Sequence, residues 1–435
     1  MKFSLAKQVL LDGINKVAGV VSTRPSMPIL SNVLLEAADG ELKLTTTSME
    51  LTIVTKVPCI VEKAGSITLP AKKLQSIIRE LRDGEVSLEV SGTVATIRCN
   101  RAQFKLNGLP ANEFPGLPVF KEAREFKVQQ GVLNKGFAFT EFAISNDGTR
   151  YVLNGIYTCF QDGKLTLVAT DGRRLALFES ELEFPESQEV CIDIPSRAVA
   201  EVHRLLGDNG DVMIRITSNQ ASFDFDDTLL ITKLIDGNYP NYRQVIPSRY
   251  NERVVIPAAE LQSAVRRVSL LSSEKTNTVS FRFTPGVMSV QSSANMGEAN
   301  EEVPIDYDGR EISISFNADY VLAPLKSVGD QDVCIDLIDT SSPGVMRVAD
   351  EFLYVLMPIR VYEALDFISF FQGDTAEEWP TKVRRSSLYT RAASIHSPPT
   401  GWFSLCPPGS FHTGHRPVFI PQSGFHPPLI LSSIS

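Results

Sequence analysis

Two hydrophobic periods alternate along the first 360 residues of the chain. In the opening segment, Leu10, Ile14 and Val17 fall at i, i+4 and i+7, which predicts an amphipathic helix. Residues 164–168 instead alternate apolar and polar side chains, as a half-buried strand does. Helices are predicted over residues 6–19, 71–82, 130–144, 196–206, 258–271 and 317–328. Pro324 lies inside the last helix and is expected to kink or shorten it, because proline has no amide N–H.

The order helix, strands, helix, strands occurs three times. The second helix of each copy opens after Pro70, Pro195 and Asn317, which lie 125 and 122 residues apart. Asp-Gly pairs at 39–40 and 162–163 signal tight hairpins in the first two copies. A period this long predicts three tandem copies of one α+β domain rather than a solenoid of short repeats. The expected domains are 1–121, 122–250 and 251–360.

Residues 361–435 break this pattern. They contain both tryptophans, four of the five histidines and nine of the 26 prolines, and they show no helix or strand periodicity. We expect this segment to be mostly disordered and foreign to the repeated fold. A frameshifted or read-through end would explain it, and a real appended segment is the alternative.

The formal net charge of −9 argues, taken alone, against binding nucleic acid, whose phosphates are negative. The charge is segregated, however. The six predicted helices carry twelve Lys or Arg and six Asp or Glu, residues 361–435 are neutral, and sheets and loops therefore hold −15. Basic helices around a central hole, with acidic sheets outside, would suit a ring on DNA. Ordinary charged residues on exposed helix faces are the alternative.

The residue types that enzymes use are sparse. His203 is the single histidine in the first 360 residues, so a histidine-based triad or metal site has no second histidine. Neither HExxH nor a glycine-rich phosphate loop occurs. Asp224 and Asp226 alternate with Phe223 and Phe225, which predicts a strand whose acids face solvent. We therefore expect no catalytic residue, no metal site and no cofactor.

The six cysteines, at positions 59, 99, 159, 191, 334 and 406, are scattered and form no CxxC pair. This spacing predicts neither a zinc site nor a disulfide framework, and we expect the cysteines to be small buried residues. The chain has no 18-residue apolar run, and its N-terminus lacks a signal-peptide core. A soluble, cytoplasmic protein without membrane contact is expected.

One stretch, residues 168–176, concentrates unusual chemistry. A strand runs into Thr170-Asp171-Gly172, a tight turn in which glycine is free to adopt positive φ, and Arg173 and Arg174 follow directly. A turn that presents two arginines between strands indicates a binding site, although an edge-strand turn would look similar.

Other motifs share the chain with this turn. They are MKF at 1–3, RPSMPIL at 24–30, LPANEFP at 109–115, YVLNG at 151–155, DGNYPNYR at 236–243 and VLMPIR at 355–360. In this order and spacing, the motifs resemble the DNA polymerase III beta subunit family, the bacterial sliding clamps. The resemblance covers residues 1–360 and leaves 361–435 unmatched.

The resemblance implies a fold and a function. Three DNA-clamp domains, each with two helices against antiparallel sheets, would assemble head-to-tail into a homodimeric six-domain ring around duplex DNA. Such a ring binds DNA without regard to sequence and tethers the replicative polymerase for processive synthesis at the bacterial nucleoid and replisome. It also docks the clamp loader and the repair and translesion polymerases, and performs no bond chemistry itself.

The resemblance also implies site residues. DNA contacts are expected at Arg24, Lys72, Lys73, Arg79, Arg82, Arg150, Tyr151 and Arg197. The dimer interface is expected at Phe104, Leu106, Leu270 and Leu271, for which ordinary core packing is the alternative. A groove for partner peptides is expected at Leu153, Thr170, Gly172, Arg173, Arg174, Leu175, Pro240, Arg243, Gln244, Val245, Tyr320, Val355, Met357, Pro358, Ile359 and Arg360.

Two groove positions depart from the family pattern. Arg173 stands where the family more usually has His, and Gln244 stands where a basic residue is more usual, so the fine peptide preference is open. The segment after Arg360 begins beside the groove, and its apolar run at 367–371 is expected to compete with partner peptides.

Two other functions remain as alternatives. One is an enzyme with a repeated β-rich fold, in which Asp171 and Arg174 are catalytic. The other is a monomeric peptide-binding scaffold that has no role on DNA. A dimer in solution and retention on circular but not linear DNA would distinguish the clamp from both.

Overall fold

The computed structural model describes residues 1–21, 26–118, 120, 122–273 and 276–360. Arg24 and the segment 361–435 lie outside the described residues. The predictions made for them, DNA contact by Arg24 and disorder or groove competition by the C-terminal segment, therefore remain predictions.

The helices form where the hydrophobic period predicts them. They are α1 (Lys7–Ala18), α2 (Ala71–Glu80), α3 (Gln130–Thr140), α4 (Ser196–Leu205), α5 (Ala258–Ser269) and α6 (Ala318–Val328). The predicted third helix is shorter than expected, because a 3-10 turn at Glu141–Ala143 replaces its last turn. Leu10, Ile14 and Val17 on α1 are fully buried, and each such burial contributes roughly 1.5–3 kcal/mol.

The strands divide among three repeats of the chain. The first repeat holds β1 (Lys2–Ala6), β2 (Asn32–Ala38), β3 (Glu41–Thr47), β4 (Leu51–Pro58), β5 (Ile60–Lys63), β6 (Gly65–Pro70), β7 (Glu85–Ser91), β8 (Val94–Cys99) and β9 (Ala102–Asn107). The second repeat holds β10 (Arg124–Gln129), β11 (Gly155–Gln161), β12 (Lys164–Thr170), β13 (Arg174–Glu181), β14 (Val190–Pro195), β15 (Asp211–Ile216), β16 (Gln220–Phe225) and β17 (Thr228–Lys233). The third repeat holds β18 (Glu252–Pro257), β19 (Thr278–Thr284), β20 (Val287–Ala294), β21 (Gly297–Pro304), β22 (Ile312–Asn317), β23 (Asp332–Leu337), β24 (Gly344–Val348) and β25 (Phe352–Leu356).

Neighbouring repeats share sheets. One eight-stranded sheet runs β10-β15-β16-β17-β4-β3-β2-β6 and joins the first two repeats through β17 and β4. A second runs β14-β11-β12-β13-β25-β24-β23-β18 and joins the last two repeats through β13 and β25. The first repeat keeps a five-stranded sheet, β5-β1-β7-β8-β9, and the third a four-stranded sheet, β21-β20-β19-β22. Within the described part of the chain, β9 and β21 are edge strands with one neighbour each.

The predicted hairpins have the backbone that their sequences require. Asp39 and Gly40 take φ values of 53° and 80° between β2 and β3, and Asp162 and Gly163 take 54° and 70° between β11 and β12. Positive φ at both turn residues is the geometry whose twist matches antiparallel strands. The Phe223 and Phe225 side chains are buried, while Asp224 is half-buried and bonded to Arg215. Asp224 therefore lies on the outer face of a strand as predicted, whereas Asp226 lies in the turn that follows, because β16 ends at Phe225.

Of the two outcomes expected for Pro324, a kinked or a shortened helix, shortening does not occur. Helix α6 continues through Pro324 to Val328. The missing N–H would leave the Tyr320 carbonyl, one turn earlier, without a donor. The hydroxyl of Tyr354 on β25 donates to that carbonyl oxygen at 2.9 Å and so replaces the lost helical bond.

The prediction that the cysteines form no disulfide is also wrong. Cys159 on β11 and Cys191 on β14 are directly opposite in the strand register, with their Cα atoms 4.1 Å apart, and they are bonded. Their separation of 32 residues carries no motif, so only strand pairing brings them together. Cys99 is buried as expected, and Cys59 and Cys334 are half-buried.

Candidate functional site

The turn between β12 and β13 is held by its own side chains. Gly172 takes φ +85° as predicted, and its N–H donates to the Thr170 hydroxyl at 3.1 Å. The Asp171 carboxylate accepts from the N–H groups of Arg173, at 2.9 Å, and Arg174, at 3.1 Å. The Thr170 hydroxyl donates to the Arg174 carbonyl at 2.6 Å. The turn is therefore a rigid platform.

Arg174 is fixed within this platform. Its Nε lies 3.0 Å from Asp171 Oδ2, and its guanidinium stacks over Tyr320 of α6, 4.3 Å from the ring centroid. Phe142 approaches the guanidinium at 5.7 Å. Because Asp171 and Arg174 neutralise each other and are mostly covered, with side chains 18% and 14% exposed, their geometry is that of a structural pair.

The end of β25 closes one side of the site. Arg174 pairs with Leu356, and Leu175 with Val355, in the strand register. The Met357 N–H then donates to the Arg173 carbonyl at 3.0 Å, and the Ile359 N–H donates to Ser315 at 2.8 Å. Residues from the second and third repeats are thus locked side by side.

The segment between the second and third repeats lies on the same face. Tyr239, Tyr242 and Ile246 pack on an apolar surface formed by Val168, Leu175, Leu177, Val345 and Val355. Beside them Val245 is 52% exposed and Met357 is 48% exposed. An apolar surface with exposed Met and Val and with arginines at its rim suits a peptide.

The structure brings most predicted groove residues to this junction. The turn and the start of β13 contain Thr170, Gly172, Arg173, Arg174 and Leu175. Tyr320 stacks on Arg174, Val355 lies opposite Leu175, and Met357 is hydrogen-bonded to Arg173. Ile359 follows two residues after Met357 and is hydrogen-bonded to Ser315. The covering segment, residues 239–246, packs on this surface and contains Pro240, Arg243, Gln244 and Val245. Leu153 is buried at the end of a 3-10 turn, and the chain after β25 contains Pro358 and Arg360.

Sequence reasoning missed several residues here. Tyr354 is fully buried and carries the bond to the Tyr320 carbonyl, and Phe142 lies under Arg174. The alternation of Phe352, Tyr354 and Leu356 marks the buried face of β25 in the sequence, but it does not identify the partner of the Tyr354 hydroxyl. Burial raises the pKa of Tyr354 well above its ordinary value, so the hydroxyl remains a donor.

Asp193 is a buried acid on strand β14. It is 7% exposed, and its Oδ1 has no hydrogen-bond partner in the described structure. Burial raises the pKa of the Asp193 carboxyl to about 7. Because this folded-state pKa lies above the unfolded value, the native state holds the extra proton at acidic pH, and its stability falls as pH rises from about 4 to 7.

The basic helix α2 is a second candidate surface. Lys72, Lys73 and Arg79 are exposed, and the structure pairs none of them with an acid among the described residues. Arg82, predicted within the helix, lies exposed in the loop that follows. These four cations are free to meet phosphates.

Other predicted DNA contacts are partly engaged. The Arg197 Nη2 donates to the Val20 carbonyl at 2.6 Å, which favours the C-terminal end of α1. Arg150 lies 3.7 Å from the Asp147 carboxylate, and Tyr151 is 58% exposed. Arg197 therefore links the first two repeats, whatever else it contacts.

The four predicted interface residues are at the surface or near it. Phe104 on β9 is 38% exposed, and Leu270, just after α5, is 80% exposed. Leu106 and Leu271 are half-buried. Ordinary core packing therefore does not account for Phe104 or Leu270.

No group of three or more His, Cys, Asp or Glu in the described ranges could hold a metal ion. No helix in those ranges combines the length and the hydropathy needed to span a membrane.

Comparison with known proteins gives consistent matches along the chain. The N-terminal domain of the DNA polymerase III beta subunit family matches residues 1–118, its central domain 127–241 and its C-terminal domain 243–360. A beta sliding clamp of Pseudomonas aeruginosa is 32% identical over 369 residues, covering 83% of this chain and 100% of the relative. The Escherichia coli beta sliding clamp is 32% identical over 371 residues with the same coverage.

Solved structures agree. The crystal structure of a Pseudomonas aeruginosa sliding clamp bound to griselimycin has a TM-score of 0.79 at 32% identity, and it covers 83% of this chain and 100% of that one. A Bacillus subtilis sliding clamp gives 0.79 at 30% identity with the same coverage. With three consecutive domain matches over the three repeats described above, the chain belongs to the DNA polymerase III beta subunit family, the bacterial DNA sliding clamps.

Proposed function

We propose that two copies of this chain close head-to-tail into a ring on duplex DNA and act as a non-catalytic processivity subunit of the replicative polymerase. The observation that carries the proposal is the pair of open sheet edges. Strand β17 joins β4, and β25 joins β13, at the two junctions within the chain. Strands β9 and β21 are the first-repeat and third-repeat counterparts of these joining strands, and among the described strands each still has one edge without a neighbour.

The repeats also predict the strand register of a third junction, in which β9 of one subunit pairs with β21 of the partner subunit. Thr228, the residue that opens β17 after its hairpin, lies opposite Thr55, and Phe352, which opens β25, lies opposite Phe178. Ala102 opens β9 in the same way. The hairpins that contain these strands have matching registers, so the residue of β21 that corresponds to Thr55 and Phe178 can be identified. It is Glu301. Ala102 is therefore expected opposite Glu301 of the partner subunit.

That register gives a complementary interface. Continuing along the strands, Phe104 faces Ala299 of the partner subunit and Lys105 faces Glu298 of the partner subunit. Leu106 faces Gly297 of the partner subunit, beside which Leu271 lies, since a Cβ at Gly297 would be 3.7 Å from the Leu271 side chain. A heterologous contact of this kind, made twice, closes a ring of two.

The ring accounts for the free cations of α2 and of the loop that follows it. Lys72, Lys73, Arg79 and Arg82 would contact phosphates inside the ring without reading bases, so the clamp could move along the duplex. Arg150, Tyr151 and Arg197 are proposed as further contacts, and Arg24 as one outside the described residues. This arrangement would work in the cytoplasm, at the nucleoid and replisome.

The groove around Arg174 is proposed as the docking site for partner peptides of the polymerase, the clamp loader, and the repair and translesion polymerases. Its support is the platform that Thr170, Asp171 and Tyr320 build around that arginine. A monomeric scaffold that binds peptides without DNA is not favoured by the open β9 and β21 edges.

The test is the oligomeric state. Leu270→Ala with Leu271→Ala should give monomers in analytical ultracentrifugation, since truncating a buried leucine costs about 2–5 kcal/mol. Ile60→Ala is the matched control, because Ile60 is 66% exposed on β5, the opposite edge of the first sheet. Lys105→Glu and Glu298→Lys should each weaken the dimer, and the two together should restore it. A dimer that all these variants leave unchanged would place the interface elsewhere.

DNA encirclement is tested separately. The dimer loaded on nicked circular DNA should be retained and should slide off after linearisation. Loss at equal rates from both forms would contradict the ring.

A further inference from the structure

The junction between the first two repeats contains a second copy of the groove's framework. In the turn between β3 and β4, the Met49 N–H donates to the Thr47 hydroxyl at 3.1 Å, as the Gly172 N–H does to Thr170 at 3.1 Å. Met49 has φ +74° and Gly172 has φ +85°. The two turns therefore share this hydrogen bond and a positive φ at the same position.

The joining strands repeat the match. The Lys233 N–H donates to the Glu50 carbonyl at 2.8 Å, and the Met357 N–H donates to the Arg173 carbonyl at 3.0 Å. The bond two residues later is also repeated. The Ile235 N–H donates to the Asp193 backbone carbonyl at 2.9 Å, and the Ile359 N–H donates to the Ser315 backbone carbonyl at 2.8 Å. The positions of Thr170, Gly172, Arg173, Met357 and Ile359 thus have identified counterparts in the first junction.

At the base of the first junction, two residues are smaller than their counterparts in the groove. Leu51 stands at the position of Arg174, and Ala198 at the position of Tyr320, which stack on each other in the groove. Both are almost completely covered, with Leu51 2% and Ala198 1% exposed, and they lie at the base of an open cleft of about 720 Å³. It is lined in part by Leu51, Ala198, Leu234, Ile235 and Tyr151. This volume is within the range of sites that bind small ligands.

The rim differs in charge. Glu50 occupies the position of Arg173, and Asp236 that of Arg360, so two cations of the groove become two acids in the cleft. Lys233 at the position of Met357 adds one cation, while Arg197 directs a guanidinium N–H to the Val20 carbonyl at 2.6 Å. A peptide selected by the basic rim of the groove would be repelled by Glu50 and Asp236.

We propose that this cleft is a second peptide-docking site, which takes a short extended peptide with an apolar centre and cationic residues on both sides. The apolar centre packs on the half-buried Leu234 and Ile235 and on the exposed Tyr151, and the cations pair with the exposed Glu50 and Asp236. The inference rests on the proposed groove for its geometry, but the two sites select opposite charges. Their occupants are therefore distinguishable.

Two methionines report the two sites independently. Met49 and Met357 are each 48% exposed. Met49 lies in the turn between β3 and β4, and Met357 is hydrogen-bonded to the turn between β12 and β13. In the full chain with ¹³C-methyl-labelled methionine, the probes are acetyl-Lys-Leu-Phe-Leu-Lys-amide and its counterpart with Glu in place of Lys. Titrating the cationic peptide should shift the Met49 methyl resonance and leave that of Met357 in place. The acidic peptide should do the reverse.

Substitutions at the rim make the test specific. Glu50→Arg should weaken binding of the cationic peptide at Met49 at least tenfold, and Glu50→Arg with Asp236→Arg should abolish the shift. Arg173→Glu is the matched control, which should affect only the acidic peptide at Met357.

The outcomes separate the inference from the proposed function. A response of Met357 to the acidic peptide, with none at Met49 to the cationic peptide, overturns the second site alone. A response at Met49 with none at Met357 supports the second site and contradicts the proposed groove. A Met49 shift with a short DNA duplex but not with the cationic peptide would show that the cleft is a DNA surface, and would overturn the inference.

Discussion

The bond that carries α6 past Pro324 can be tested by removing one oxygen atom. Tyr354 is fully buried, and its hydroxyl donates to the Tyr320 carbonyl at 2.9 Å. Tyr354→Phe would leave that carbonyl without its donor. An unsatisfied buried polar group costs about 1–3 kcal/mol, which is the expected loss in the free energy of opening α6.

Hydrogen exchange measures this loss locally, which avoids treating a chain of three repeats as two-state. The amides of residues 321–323 and 325–328 should exchange roughly five to 150 times faster in the Tyr354→Phe variant, since 1.4 kcal/mol is a factor of ten. The amides of α1, in the first repeat, should be unchanged and serve as the internal control.

A double-mutant cycle identifies the cause. Pro324→Ala supplies a backbone N–H that can donate to the Tyr320 carbonyl, so the Tyr354→Phe substitution should cost under about 1 kcal/mol in that background. If the substitution accelerates exchange equally with Pro324 and with Pro324→Ala, the hydroxyl does not compensate for the proline, and the explanation given for the uninterrupted helix is wrong.

Three further results are expected. Asp193→Asn should raise the free energy of unfolding at pH 8 by up to about 4 kcal/mol and leave it unchanged near pH 4, because the carboxyl pKa of about 7 penalises the native state only when the group ionises; an equal gain at both pH values would contradict this. Thiol titration of the unreduced, denatured chain should find four of its six cysteines, since Cys159 and Cys191 are bonded; six thiols would refute the pairing. Lys72→Glu with Lys73→Glu should reduce loading on nicked circular DNA and lower the salt slope by about two units; an unchanged slope would remove α2 from the DNA surface.

The sequence by itself determined the local elements. Leu10, Ile14 and Val17 predict α1 because a helix places positions three and four apart on one face. Asp39-Gly40 and Asp162-Gly163 predict their hairpins because both residues accept positive φ. Thr170, Asp171 and Gly172 predict a rigid turn because each side chain or backbone preference acts within a few residues.

Tertiary structure alone decided which strands and side chains meet. Period-two alternation gives a strand its faces but does not name its neighbour, so the pairing of β17 with β4 and of Cys159 with Cys191 was not predictable from spacing. Pro324 was expected to kink or shorten α6 because local rules count only the lost N–H. The compensating hydroxyl comes from Tyr354, 34 residues from Tyr320 along the chain. Contacts between distant residues depend on the free energy of packing the whole domain, which no short window of sequence contains.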